Sequence, residues 1–278
     1  MISIITPVFN GEKFIEACIK SVINQNYFHV EHIIIDGAST DKTVEIIEQY
    51  FKKYNHIKFI SKKDNGQSDA INTGISLATG EIIGILNVDD SYEPNTLLRV
   101  SDIFRHLSEP SFVTGNCNIY DSSGYLRKVN KPKKMDIIDL LLKSKSHPFP
   151  ANPSAYFYHK SLHQKIGLYD VNDHYTMDLD FICRAVQGAT VKYVDEVWGN
   201  FLLHEGSKTF NDSIVAHRGR NRREKVLNLY RNSLSLSKKC KLTVFDSFYS
   251  ASLHSRRLPG KFRNFLSKLN YKSNNFHN

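Results

Sequence analysis

The chain has 278 residues, 41% of them hydrophobic and 23% charged, which excludes a disordered protein and suits one large domain, alone or with an appendage. Lys and Arg number 37 against 28 Asp and Glu, a net charge of +9, and a basic balance of this size points to an anionic partner. The excess is local: residues 218–278 hold 15 Lys/Arg and 2 Asp/Glu, whereas residues 1–217 hold 22 and 26.

Short β-branched runs alternate with helical patterns over the first 120 residues, the pattern of βαβ units around a mainly parallel sheet. Ile2 to Pro7 reads as a strand buried on both faces, and Glu12 to Asn24 as a helix with Phe14, Ile15, Ile19 and Val22 inside. His32 to Asp36 is a second strand, Ser39 to Asp41 supply N-cap types for the next helix, Ile57 to Ile60 is a third strand, and a helix from Ser68 stops at Gly80. Ile82 to Leu86 is a fourth strand and runs into Asn87-Val88-Asp89-Asp90. A helix near Asn95–Leu107, a strand at Phe112–Tyr120, a short helix at Asp136–Leu142 and a proline-rich ordered loop at His147–Pro153 follow. Then come a strand at Ala155–Tyr158, a helix at Asp178–Gln187 and late strands at Val191–Val194 and Gly199–Leu203.

The cysteines Cys18, Cys117, Cys183 and Cys240 form no CxxC pair, so reduced thiols and a cytoplasmic setting are expected. No run approaches the roughly 20 apolar residues of a membrane-spanning helix and no basic leader opens the chain, so neither a membrane span nor export is expected.

Asp36, the Asp89-Asp90 pair and Asp178 stand at strand ends or a helix start, where ligands of open α/β sheets gather. A buried strand ending in carboxylates needs a cation, a donor or water there. Strand-end solvation and helix capping serve a single Asp; two adjacent carboxylates more readily suit a hard cation, Mg2+ or Mn2+, bound together with substrate phosphates. No GxG occurs, the one Gly-Lys pair, Gly260-Lys261, lacks the rest of a phosphate loop, and His204-Glu205 is followed by Lys208 where a zinc protease needs its second His.

The segments ISIITPVFNGEKFIEACIKSVINQ, IIIDGASTDKT and DNGQSDAINTGISLATGEIIGILNVDD resemble, in order and spacing, the nucleotide-binding half of family 2 glycosyltransferases. TMDLDFICRA and FLLHEGSKT resemble the acceptor-half blocks, extending a looser match to about residue 210. The resemblance implies a GT-A-like α/β three-layer sandwich with a mainly parallel central sheet, divided into a nucleotide-sugar half, 1–120, and an acceptor half, 121–215, with a basic helical extension at 216–278.

Carried residue by residue, it implies that Thr6, Pro7 and Phe9 line the base pocket with Asn10 and Glu12 nearby. Asp36 would meet the base edge. Asp64, Asn65 and Gly66 form the next nucleotide-side block, and Asp69 and Asn72 would reach ribose or sugar, unless Ser68, Asp69 and Asn72 only cap their helix. Asp89 and Asp90 match the metal-binding acidic region, with either as the ligand, and Asn87 occupies the usual first acidic position on the donor side. His204 would approach the diphosphate or metal, and Ser207, Lys208 and Thr209 the phosphate. Asp178 matches the catalytic base, and Met177 replaces an acid common before it. Asn152, Asp180 and Trp198 are assigned to the acceptor side, although Trp198 suits packing better and Asp180 points about 200° from Asp178 on a helix.

The activity so implied is inverting transfer of a sugar from a nucleotide donor, UDP-linked by preference, to a glycan or lipid-linked acceptor in cell-surface polysaccharide or lipopolysaccharide assembly. The alternatives are a sugar nucleotidyltransferase and a non-catalytic nucleotide-sugar-binding regulator. In the tail, Phe262, Phe265, Leu266 and Leu269 fall on one side of a basic helix, and Arg218, Arg220, Arg222, Arg223 and Lys225 form an earlier cluster. This suits an anionic membrane surface, on the inner face of the plasma membrane, or packing on the catalytic domain. No motif supports nucleic acid as partner.

Overall fold

The computed structural model describes residues 1–133, 135–142, 149–208, 210–211 and 219–255. Strand β1, Ile2–Val8, is buried along its whole length. It pairs in parallel with β2, Val30–Asp36, and with β4, Ile82–Ile85, and β2 pairs in parallel with β3, Ile57–Ser61. These strands form one half of a nine-stranded sheet, the all-parallel half that the apolar runs predict. Antiparallel β8, Tyr156–His159, joins β4 to β6, Ser111–Asp121. A single parallel partner of β6, strand β9 at Thr190–Leu203, spans both late strands expected from sequence. Its register shifts opposite Gly115, where the strand bends past Trp198. Two short edges, β5 at Ser91–Tyr92 on β9 and β7 at Leu126–Asn130 on β6, complete the sheet.

Helices cover both faces. On one, α3, Gln67–Leu77, and α7, Met177–Gly188, pack Ile71, Ile75, Phe181 and Ile182 against Ile5, Ile33, Ile83 and Phe112. Helix α3 lies so close to β1 that a Cβ on Gly74 would come within 2.4 Å of Ile5. On the other face, α1, Ile15–Ile23, and α4, Thr96–Phe104, pack Cys18, Val22, Leu97 and Val100 against Ile2, Ile4, Phe157 and Trp198. Helix α2, Thr43–Lys53, closes the β2–β3 connection. The first helix begins at Ile15 rather than Glu12, and the amides before it bond to the neighbouring loop: those of Asn10, Gly11 and Glu12 donate to Ser39 Oγ, Thr43 Oγ1 and Asp41 Oδ2 at 2.8, 2.8 and 3.0 Å. The β1–α1 and β2–α2 loops are thereby tied into one rim.

Helix α5, Ile137–Leu141, starts on the Asp136 side chain, and α6, Leu162–Ile166, follows β8. The basic region forms α8, Gly219–Ser233, and α9, Leu236–Ser255. Leu227, Leu234 and Leu242 are buried against Ile137, Ile138, Leu141, Leu179 and Cys183, about 1.5–3 kcal/mol of burial for each leucine. Arg231 donates twice to the Leu141 carbonyl, at 2.6 and 3.2 Å, and so caps α5. Packing on the domain therefore describes this part of the tail. The amphipathic helix expected over 260–271, Arg218, Thr209 and the His147-Pro148 part of the proline-rich loop lie outside the described residues.

Candidate active site

The C-terminal ends of β1, β2 and β4 open toward one rim. Phe9 is exposed at its edge, and Asn10, with φ 51°, accepts the Thr40 amide on its side-chain oxygen at 2.9 Å. Glu12 accepts from the Lys42 amide at 3.1 Å. Thr6 and Pro7 are buried. Thr6, expected in the base pocket, instead turns its hydroxyl into the core toward His32 Nε2 at 2.9 Å, because at its place in β1 the side chain faces α1. Asp36 is fully buried; it receives the Ser39 amide at 3.0 Å, the Ser39 hydroxyl, and the Ser61 hydroxyl at 2.6 Å. In this arrangement it closes the β2–α2 turn, and a base edge would reach it only with Ser39 turned aside.

Asp64 accepts the Gly66 amide at 2.8 Å, and Gly66, at φ 108°, starts α3 in a conformation that favours glycine. Asp69 accepts both the amide and the side-chain nitrogen of Asn65 at 3.0 Å. Asn72, expected to reach ribose or sugar, has both ends of its amide engaged: it exchanges two hydrogen bonds with the Tyr169 backbone, at 2.9 and 3.0 Å, and braces α3 against the segment before α7.

The end of β4 separates its two carboxylates. Asp90 is 4% exposed and accepts from Asn152 Nδ2 at 2.7 Å, Asn87 Nδ2 at 3.0 Å and the Leu202 amide at 3.3 Å. Burial, reinforced by the neighbouring Asp89, raises its pKa well above the usual carboxylate range, and these donors oppose the rise. Asp89 is partly exposed and lies 3.0 Å from His204 Nε2. The His204 ring rests on Phe14 at 4.8 Å, and its Nδ1 accepts the Gly206 amide at 3.2 Å.

Asn87 is the hinge of this arrangement. Its oxygen accepts from Gln67 Nε2 at 2.9 Å, and Gln67 Oε1 in turn accepts from Lys208 Nζ at 3.3 Å. A carboxylate at position 87 would offer Asp90 no proton and add a like charge beside it, whereas the Asn87 amide donates to it.

Asp178 opens α7. Burial pushes its carboxyl up to about 6, with Asp173 adding to the rise, while the Tyr156 hydroxyl at 3.2 Å and Lys208 hold it down. Desolvation lowers the Lys208 ammonium, and Asp178 and Asp64 act in the opposite sense. The residues assigned to the acceptor side make their contacts within the protein. Asn152 is buried beside Asp90 and also caps the turn at Pro153–Ala155. Asp180, on the far side of α7, holds Arg184 at 2.8 Å and the Tyr230 hydroxyl of α8 at 2.6 Å. Trp198, 1% exposed, packs on Phe157 at 5.9 Å, so its ring is core. Gln67, Phe14 and Tyr156 join the site without having been singled out by the sequence; the Gln67 signal is an amide at the start of α3, within a block that already carries Asp64 and Asp69.

Among the described residues, no three His, Cys, Asp or Glu side chains converge as a metal cage. The accessible Asp89 oxygen beside an imidazole nevertheless fits Mg2+ or Mn2+, which takes one or two protein ligands and completes its shell with water and phosphate.

The profile of Glycosyl transferase family 2 matches residues 3–166. The chain belongs to this family and carries a family 2 glycosyltransferase domain. It is 37% identical over 127 residues to an Escherichia coli chondroitin synthase, covering 45% of this chain and 18% of that protein. An uncharacterized glycosyltransferase of Bacillus subtilis, EpsJ, is 27% identical over 222 residues, covering 76% of this chain and 63% of its own length. The chain thus spans less than two thirds of these relatives. S. aureus TarS 1–349 in complex with UDP-GlcNAc superimposes with a TM-score of 0.65 at 17% identity, over 94% of this chain and 77% of that one. The mannosyltransferase PcManGT from Pyrobaculum calidifontis, in complex with GDP-Man and Mn2+, gives 0.54 at 15% identity, over 96% and 83%. These two likenesses carry the fold, which is of the GT-A type.

Proposed function

We propose that the chain transfers a sugar, with inversion, from a nucleotide-sugar donor to a hydroxyl of a glycan or lipid-linked acceptor. The observation that carries this reading is the division of labour among three carboxylates. Asp90 is buried and satisfied by three donors, Asp89 is accessible beside His204, and Asp178 stands apart with a raised pKa; environments that separate acids in this way mark distinct chemical roles.

Asp178 faces the acceptor hydroxyl as general base. The acceptor oxygen forms its bond to the anomeric carbon as the bond to the nucleoside diphosphate breaks on the opposite face, and the hydroxyl proton passes to the carboxylate. A carboxyl near 6 is mostly ionised at neutral pH yet basic enough to share that proton. Asp89 would hold Mg2+ or Mn2+, which when bound neutralises charge on the leaving diphosphate, and His204, its Nδ1 taken by the Gly206 amide, would orient that carboxylate through Nε2–H. Asp90 keeps the end of β4 in place, and Lys208 supplies a cation between Asp178 and Asp64. Asp36, Asp64, Gly66, Asp69, Phe9, Asn10 and Glu12 belong to the nucleotide-side rim.

A UDP-linked donor is supported by the UDP-GlcNAc bound to TarS, and a polymeric acceptor by the chondroitin synthase among the relatives. Action in cell-surface polysaccharide or lipopolysaccharide assembly at the cytoplasmic face of a membrane agrees with the basic tail, residues 216–278, as an extension beyond the 1–215 transferase unit. No helix among the described residues is long and apolar enough to cross a membrane.

Thermal shift with a panel of nucleotide sugars tests the donor and the metal together. Stabilisation should require Mn2+ or Mg2+ and disappear in Asp89→Asn. Equal stabilisation by the donor in chelator would contradict the metal assignment.

A further inference from the structure

Behind Asp178 lies an aromatic cluster that the mechanism above does not use. Tyr156 and Tyr158, two residues apart and so on one face of β8, meet Tyr169 around Phe181, with ring centroids 6.2, 4.8 and 4.5 Å from the Phe181 ring. His163 joins at 5.7 Å. All three phenols are buried.

Their protons can be assigned. His163 Nδ1 lies 2.9 Å from the Gly167 carbonyl, which can only accept, so Nδ1 carries the proton and Nε2 accepts from the Tyr158 hydroxyl at 3.1 Å. Tyr156 donates to Asp178 Oδ1 at 3.2 Å. The Tyr169 hydroxyl lies close enough to those of Tyr156 and Tyr158 to interact with both, although no partner meets it in good hydrogen-bond geometry. Each phenol has a single proton. That of Tyr158 points away from Asp178, so the cluster is not a proton wire running from His163 to the carboxylate. It delivers one donor to the carboxylate.

We propose that Tyr156 is a positioning residue: its hydroxyl, fixed by the register of β8 and by Phe181, holds the Asp178 carboxylate in one orientation and leaves the second oxygen to take the acceptor proton. This rests on Asp178 being the base. The charged and titratable groups around that carboxylate are Tyr156 and Tyr158 from β8, Tyr169 and Asp173 from the segment before α7, and Lys208 after β9. Only Tyr156 gives it a hydrogen bond among the described residues. Losing that donor makes the charged form costlier and moves the titration to higher pH.

The test is a carboxyl carbon NMR titration of the full chain, with the Asp178 signal assigned by its loss in Asp178→Asn. In Tyr156→Phe the midpoint should rise by about one pH unit, and sugar transfer should fall roughly tenfold with an acid limb displaced in the same direction. Tyr158→Phe, matched in packing change, should leave the midpoint in place. Melting curves establish that both variants fold. An unmoved Asp178 midpoint in folded Tyr156→Phe, or an equal movement in Tyr158→Phe, would overturn the inference whether or not Asp178 is the base. Full turnover in Asp178→Asn would overturn the base assignment instead.

Discussion

Asn152 carries a structural burden that its place in a proline-rich loop conceals. One end of its amide donates to Asp90 at 2.7 Å and the other accepts the Ser154 amide at 2.8 Å. Both partners are buried, and a buried group that loses its partner costs about 1–3 kcal/mol. Asn152→Ala should lower unfolding stability by roughly that amount in equilibrium urea titration, and an unchanged midpoint would show that Asp90 does not depend on it. The sequence marks the acidic pair because charge at the end of an apolar strand is visible in one dimension. It does not reveal that Asn152, 62 residues beyond Asp90, supplies the compensating donor. Trp198 and Asp180 read as acceptor-side residues for a similar reason: a lone aromatic or a helix carboxylate has the same sequence signature whether it faces a ligand or a neighbouring element.

At the scale of elements, α1, α3, α4 and α7 are legible because their apolar residues recur at helical spacing, and β1, β2 and β4 because runs of Ile need burial on both faces. β5 and the continuity of β9 are not, since two residues make no pattern and Asp195-Glu196 interrupt the apolar signal of a strand whose register shifts nearby. In the tail, α8 turns Leu227 inward. Leu229 is 69% exposed, and on α9 Leu236 is 79% exposed, Val244 52% and Phe245 45%. Lys238, Lys239 and Lys241 stand among them. The apolar side chains of α9 are spread around it and not gathered on one side, so attraction of this helix to an anionic bilayer rests on its lysines. The full chain should pellet with phosphatidylglycerol vesicles and not with phosphatidylcholine, and replacing Lys238, Lys239 and Lys241 by Gln should weaken that binding. Undiminished pelleting of the triple variant would move the membrane contact away from α9.

For the whole molecule, the charge split acquires a physical layout. A catalytic body with more carboxylates than cations gathers acidic groups at the strand ends, and its basic extension folds back onto α5 and α7 through Leu227, Leu234 and Leu242. Tyr230 and Asp180 pin that extension to the helix that begins with Asp178. Sequence reveals residues 1–120 more fully than the part that follows, because the former is built from consecutive strand-loop-helix units. The latter is assembled from distant segments, β8, α7 and the end of β9. The most direct test of the account is sugar transfer by Asp178→Asn alongside nucleotide binding. The variant should retain UDP affinity while transfer drops by roughly 10²–10⁴-fold, the contribution of a general base; turnover at the wild-type rate would contradict it.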